Sequence, residues 1–198
     1  MKSEGEFPTL VIEKLPGQAP GFSHAHGGAM YRITLALLLI SSPALAATLE
    51  CKVTGISDGD TISCFDPERR KLEKIRLRGI DAPERKQPFG TRSQQHLSDL
   101  AYGKTATIHW TKRDRWKRII GAVWVEPADC PGCGHTLDAG RAQLASGMAW
   151  WYEHYAREQP LEERHAYEFE QDEAKARSVG LWRDPQPIPP WDWRRGKR

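Results

Sequence analysis

Three short stretches of this sequence concentrate charge where turns are expected. They are Asp58-Gly59-Asp60-Thr61, the run from Arg76 through Arg78 and Asp81 to Glu84, and the run from Lys112 to Arg118. Each has a plain structural explanation alone. Asp and Gly form turns readily. Arg76 and Arg78 suit the solvated side of a strand, and the cations Lys112, Arg113, Arg115, Lys117 and Arg118 keep a loop soluble. Together they supply what phosphodiester hydrolysis demands. The diester is anionic and repels hydroxide, and its transition state gathers further charge on oxygen. Breaking it takes a hard cation, planar cationic donors and a base for the attacking water. Carboxylates of Asp60 and Asp81 suit calcium, which takes oxygen ligands in flexible geometry. Arg76 and Arg118 carry forks that match phosphate oxygens. Glu84, three residues past Asp81, is spaced to hold the water as general base.

The order D-G-D-T, then R-x-x-x-x-D-x-P-E, then D-x-x-x-R resembles the active-site signature of the staphylococcal-nuclease-like (thermonuclease) family. Here it reads Asp58 to Thr61, Arg76 to Glu84, and Asp114 to Arg118. A helical stretch ending at Gly147, the aromatic segment after it, and Gly180-Leu181-Trp182 extend the likeness over about residues 48–183. The resemblance implies an α+β fold, a five-stranded OB-type barrel with about three packed helices. It implies calcium held by Asp60, Asp81 and the backbone carbonyl of Ala82, with Asp58 as a further carboxylate behind them. It implies Arg76 and Arg118 as phosphate clamps and Glu84 as base. The implied reaction cuts the P–O5′ bond of DNA or RNA and leaves 3′-phosphate ends. The competing reading is a catalytically inactive OB-type module that binds nucleic acid or a protein. Such modules lose acid or arginine positions, and this chain keeps all five. Departures from the family pattern are Lys117 where Gly is usual, Ala82 in place of Thr, Gly140 where a helix-start Asn is typical, and an inserted Cys130-Pro-Gly-Cys133 loop.

Aromatic residues accompany the basic run. Trp116 lies inside it and can stack a base. Lys117 adds a potential phosphate contact. Of the cluster Trp150, Trp151, Tyr152 and Tyr155, Tyr152 or Tyr155 is expected to face the cleft, and both tyrosines are candidate substrate contacts. Trp182, Trp191 and Trp193 are expected to pin the tail onto the barrel.

The elements that must position these groups follow from periodicity. Strand patterns cover residues 48–56, 61–65, 72–78, 105–111 and 119–125. Helical stripes cover 91–102, 137–146 and 161–178, each closely followed by Gly. Five short strands with helices outside suit a small closed barrel. Residues 184–198, rich in Pro, Trp and Arg, show no core periodicity and read as an extended tail.

The chain has 198 residues, a net charge of +3 and 39% hydrophobic residues, enough for one domain with a real core. So mild a charge does not by itself predict a nucleic-acid partner. Residues 1–46 read as a leader. From Met30 a basic start, an apolar run and Ala44-Leu45-Ala46 follow the order of a secretory signal, with cleavage expected after Ala46. Translation from Met30 and an unusually long leader both fit. The mature chain at 47–183 plus its tail would then be periplasmic or secreted, a monomer without a lasting membrane anchor. Its four cysteines, Cys51, Cys64, Cys130 and Cys133, suit disulfides in an exported protein. Cys51 and Cys64 flank a hairpin turn that would set them across from each other. At Cys130 and Cys133 a local disulfide is favoured over zinc, for which only His135 offers a further ligand.

Overall fold

Alternation of buried and exposed side chains builds the barrel strands. In β1 (Ala47–Asp58) Leu49, Cys51 and Val53 turn inward. In β2 (Thr61–Asp66) Ile62 and Cys64 do so, and in β3 (Lys71–Leu77) Ile75 and Leu77. The fourth and fifth barrel strands are β5 (Thr105–Arg113) and β6 (Ile119–Val125). The computed structural model describes residues 47–197; the leader and its cleavage position lie outside the described residues. The strands run β3-β2-β1-β5-β6 in space, and β3 pairs in parallel with β6 to close the ring. This is the expected OB-type barrel. Closure leaves no free edge among these strands. Two register shifts interrupt the β1–β2 ladder, near Val53–Gly55 and Ile56–Asp58, where bulged strands bend.

Cys51 and Cys64 are bonded, with Cα atoms 5.6 Å apart. The ladder pairs Cys64 with Val53, so the bridge is diagonal rather than directly across the hairpin. Cys130 and Cys133 close the inserted loop as a disulfide. His135 turns away from it, its Nδ1 2.7 Å from the Thr107 hydroxyl.

Three helices pack outside the barrel: α1 (Gly90–Ala101), α2 (Ala139–Ala145) and α3 (Leu161–Ala176). The helical stretch expected from 137 starts two residues later, because β7 (Leu137–Asp138) first pairs with β6. Asp138 then caps α2, accepting from the amides of Gly140 at 2.9 Å and Arg141 at 3.3 Å. The buried Tyr167 hydroxyl of α3 donates to the same carboxylate at 2.9 Å. A Cβ at Gly140 would lie 2.6 Å from that hydroxyl, so a side chain here would force Tyr167 to shift.

Arg78, read from sequence as a solvated strand charge, is buried. Its guanidinium grips both oxygens of Glu163 in α3, with Nε donating to Oε1 at 3.0 Å. Gln159 donates to that oxygen at 2.9 Å and accepts from the Trp151 indole at 3.0 Å. Trp151 belongs to β8 (Trp150–Trp151), which pairs with β4 (Ile80–Asp81). This buried chain of bonds ties α3 to the strand that carries Asp81.

The tail is not simply extended. After a 3-10 turn at Gly180–Arg183 it forms α4 (Pro190–Trp193), whose first residue is a proline with φ already preset. The Trp150 ring meets Trp182 edge-on at 4.4 Å and Trp191 at 5.7 Å. The expected aromatic pinning therefore holds for these two residues.

Burial pushes the Asp138 carboxyl from 3.8 up to about 6, against the hydrogen bonds it accepts. Folding thus takes up a proton between about pH 4 and 6, and this group's contribution to stability falls as pH rises through that window. The difference corresponds to about 3 kcal/mol. Asp138→Asn keeps the cap and removes the titration. Urea unfolding should show the variant gaining on wild type by up to about 3 kcal/mol between pH 4 and 7. Parallel pH profiles would exclude this origin.

Candidate active site

The β1–β2 turn is held from behind by two helices. Gln143 of α2 is fully buried and donates to the Gly59 carbonyl at 2.6 Å and the Ser93 carbonyl at 3.1 Å. Gln94 of α1 donates to the carbonyls of Ile56 and Ser57 at 3.1 and 3.3 Å. A Cβ at position 59 would fall 1.8 Å from the Ser93 hydroxyl, so only glycine permits this approach. The turn aims Asp60 inward. Its Oδ2 accepts from the Ala82 amide at 2.7 Å, and its Oδ1 accepts from the Thr61 hydroxyl at 3.0 Å. Arg76 stands 3.0 Å from Oδ1. Asp58 caps the turn by accepting from the Asp60 amide at 3.1 Å.

Burial pushes the Asp60 carboxyl up to about 8; Arg76 pulls it down, and Asp58 and Asp81 push it further up. Burial is the main cause and the neighbouring acids add to it; a bound divalent ion would offset both. The donor set consists of hard oxygens, as calcium prefers. Among the described residues no three His, Cys, Asp or Glu side chains converge as a ready-made cage. Arginines occupy the intervening space instead.

Asp81 is fixed by the short β4–β8 ladder. Its Oδ1 accepts from Arg76 Nη2 at 2.9 Å, and Arg76 Nη1 also donates to the Ile80 carbonyl at 2.9 Å. Arg76 thus bridges both candidate cation ligands. Arg118 is aimed by Asp114, which accepts from its Nε at 2.7 Å and from the amides of Arg118 and Trp116 at 2.9 Å. Burial pushes the Asp114 carboxyl up, but these Arg118 contacts outweigh it and hold the carboxyl below its ordinary range. The D-x-x-x-R spacing is therefore a loop cap and an arginine holder in one. Glu84 is half-exposed; its amide donates to the Gln87 side chain at 3.1 Å.

Asp60, Arg76, Asp81, Glu84 and Arg118 line one cavity of about 450 Å³, together with Asp58 and Ala82. Trp116, Tyr152 and Tyr155 line it too, so both candidate tyrosines face the cleft. Trp116 is 62% exposed, with the Arg115 guanidinium 4.0 Å from its ring centre. An adjoining hollow of about 190 Å³ shares Arg76, Trp116, Arg118 and the tyrosines, and adds Lys112 and Arg113. Lys117 lines neither space. A residue not foreseen from sequence does line the first cavity: Arg194, one position beyond α4. Gln143, Ser93 and Gln94 were likewise not foreseen. A fork-bearing cation next to the tail tryptophans was the available signal for Arg194. No signal marked Gln143, whose role depends on packing.

The family described as staphylococcal nuclease homologue matches residues 74–184. An Escherichia coli protein named as an uncharacterized endonuclease is 37% identical over 165 residues, which span 83% of this chain and 97% of that one. A micrococcal nuclease of Shigella flexneri is 36% identical over 172 residues, 86% of this chain and 94% of its own. A probable staphylococcal-like nuclease of rice is 36% identical over 139 residues, covering 69% of this chain and 33% of that longer protein.

The chain belongs to the staphylococcal nuclease family. Its departures from the staphylococcal nuclease pattern now have structural readings. Lys117 sits where glycine is usual, at a left-handed position of the loop, with φ +66°. The loop closes through the Lys117 amide on the Asp114 carbonyl at 2.9 Å and Arg113 on the Lys117 carbonyl at 2.9 Å. The Lys117 backbone closes the loop that carries Arg118. A left-handed non-glycine residue costs about 1–2 kcal/mol, and glycine returns about 0.5–1 kcal/mol of that as unfolded-chain entropy. Lys117→Gly should therefore raise stability by up to about 1 kcal/mol in urea unfolding. A loss of stability would contradict the strain reading.

Proposed function

We propose that this staphylococcal nuclease family member is an exported, calcium-dependent endonuclease. It would hydrolyse the P–O5′ bonds of DNA and RNA as a monomer and leave 3′-phosphate ends. The observation that carries the proposal is the meeting of two acids, two arginines and Glu84 on one cavity. Asp60, Asp81 and the carbonyl of Ala82 would hold the ion. When bound there, calcium supplies a Lewis acid for the phosphoryl oxygen.

The chain's own groups do the rest. Arg76, braced by the carbonyl of Ile80, offers its fork to the anionic diester. Arg118, aimed by Asp114, offers a second fork where negative charge grows. Glu84 is half-exposed on the same cavity, open enough to hold a water and take its proton. Trp116, Tyr152 and Tyr155 offer ring faces for bases, each worth about 1–3 kcal/mol. Such faces stack any base, which suits acceptance of both DNA and RNA.

Export is supported by the signal-like order of residues 30–46 and by the cysteines. Among the described residues every cysteine is in a disulfide, which suits an oxidising compartment. Outside the cell a weak calcium site suffices, because extracellular modules work near millimolar affinity.

Plasmid DNA and single-stranded RNA should both be cut with calcium present and spared with a chelator. Glu84→Gln and Arg118→Ala should each slow cleavage by roughly 10²–10³-fold while leaving the thermal melt in place. Undiminished cutting in chelator would remove the cation from the scheme. A wild-type rate in either variant would remove that residue.

A further inference from the structure

The tail carries a cation into the carboxylate cluster. Arg194 Nη2 donates to Asp81 Oδ2 at 2.7 Å, and its Nη1 donates to Glu84 Oε1 at 2.7 Å and Asp81 Oδ1 at 3.3 Å. One planar fork thus bridges a candidate cation ligand and the candidate base. The Asp81 side chain is 2% exposed, so this ion pair is shielded from solvent on one partner. The seat is built. Trp191 stacks on Tyr152 at 5.2 Å with a 20° tilt and meets Trp150 edge-on. Gln87 of the Glu84 loop donates to the Ile188 carbonyl at 2.5 Å. The neighbouring Arg195 reaches only Asp192, at 3.9 Å. This segment lies beyond residue 184, outside the part of the chain that matches the family.

We infer that Arg194 is a tethered counter-cation that holds Asp81 and Glu84 until a divalent ion displaces it, and so sets the cation concentration the enzyme requires. The inference rests on the cation reading of the site given above. With Arg76 already on Asp81 Oδ1, the second guanidinium on Oδ2 competes with a divalent ion for the same carboxylate, and the like charges repel. The stacked helix keeps the competitor at high effective concentration without burying it beyond release. Displacement frees Glu84 in the same step that seats the ion, so the base becomes available only once the cation is present. Arg194 is on this account a positioning residue, acting through Asp81 and Glu84. If the fork holds the acids about nine-tenths of the time, the apparent affinity for calcium is about tenfold weaker than the site's own.

Calorimetric titration of the full chain with calcium chloride tests this. Arg194→Gln should bind calcium about tenfold more tightly than wild type. Arg194→Lys, which keeps the charge but loses the fork, should return most of the way to wild type. Arg195→Gln should match wild type. Equal or weaker affinity in Arg194→Gln overturns the proposal. Should Arg194→Gln fail to fold, Trp191→Ala unseats α4 while leaving Arg194 in place. It should also bind more tightly, and an unchanged affinity there overturns the proposal equally. Calcium binding at equal strength in all variants sinks this inference alone. No calcium binding to wild type or variant sinks it together with the cation reading of the site.

Discussion

One buried carboxylate organises this molecule. Asp60 sits at the rim of a closed barrel where its charge is costly, and everything around it answers that cost. The Ala82 amide, the Thr61 hydroxyl and Arg76 each engage it. Partial compensation is what makes the position useful. Burial, and after it the neighbouring acids, still raise its carboxyl to about 8, a cost that a bound cation would offset. A fully neutralised cluster would have no reason to recruit an ion.

Neutral polar groups placed behind the site fix its backbone. Gln143 and Gln94 hold the β1–β2 turn without adding charge. The Arg78–Glu163 pair, itself fully matched, anchors the strand of Asp81 to α3. Acids facing the cavity share their arginines, Asp81 with both Arg76 and Arg194 and Glu84 with Arg194, whereas the pair facing the protein is matched one to one. This division separates the work of folding from the work of binding. Buried pairs of the second kind lock geometry more than they add stability.

Much of the site was readable before any coordinates, because its parts are local in sequence. Asp58 to Thr61 and Asp114 to Arg118 are self-capping turns whose function follows from their own spacing. Alternation revealed the barrel strands because one face of each is buried. What stayed hidden depends on partners far along the chain. Arg78 resembles any strand arginine until Glu163, 85 residues later, is brought beside it. Arg194 meets Asp81 across 113 residues, from a tail whose prolines suggested an extended chain. Lys117 resembles a phosphate contact by type, and the left-handed backbone it adopts leaves no mark on composition. The Cys51–Cys64 bridge was readable as a pair but not as a diagonal, since register shifts in β1 leave no mark on composition.

That bridge has a further consequence. Its two ends are 13 positions apart, and Asp58 to Asp60 lie inside the interval. The segment that presents Asp60 is therefore part of a covalent ring that outlasts global unfolding while the bond is intact. In the chain-entropy account a ring near this size restricts the denatured ensemble by about 3 kcal/mol. An unfolded molecule would begin its return with this hairpin already looped, its longest-lived memory of the native state stored beside the cavity.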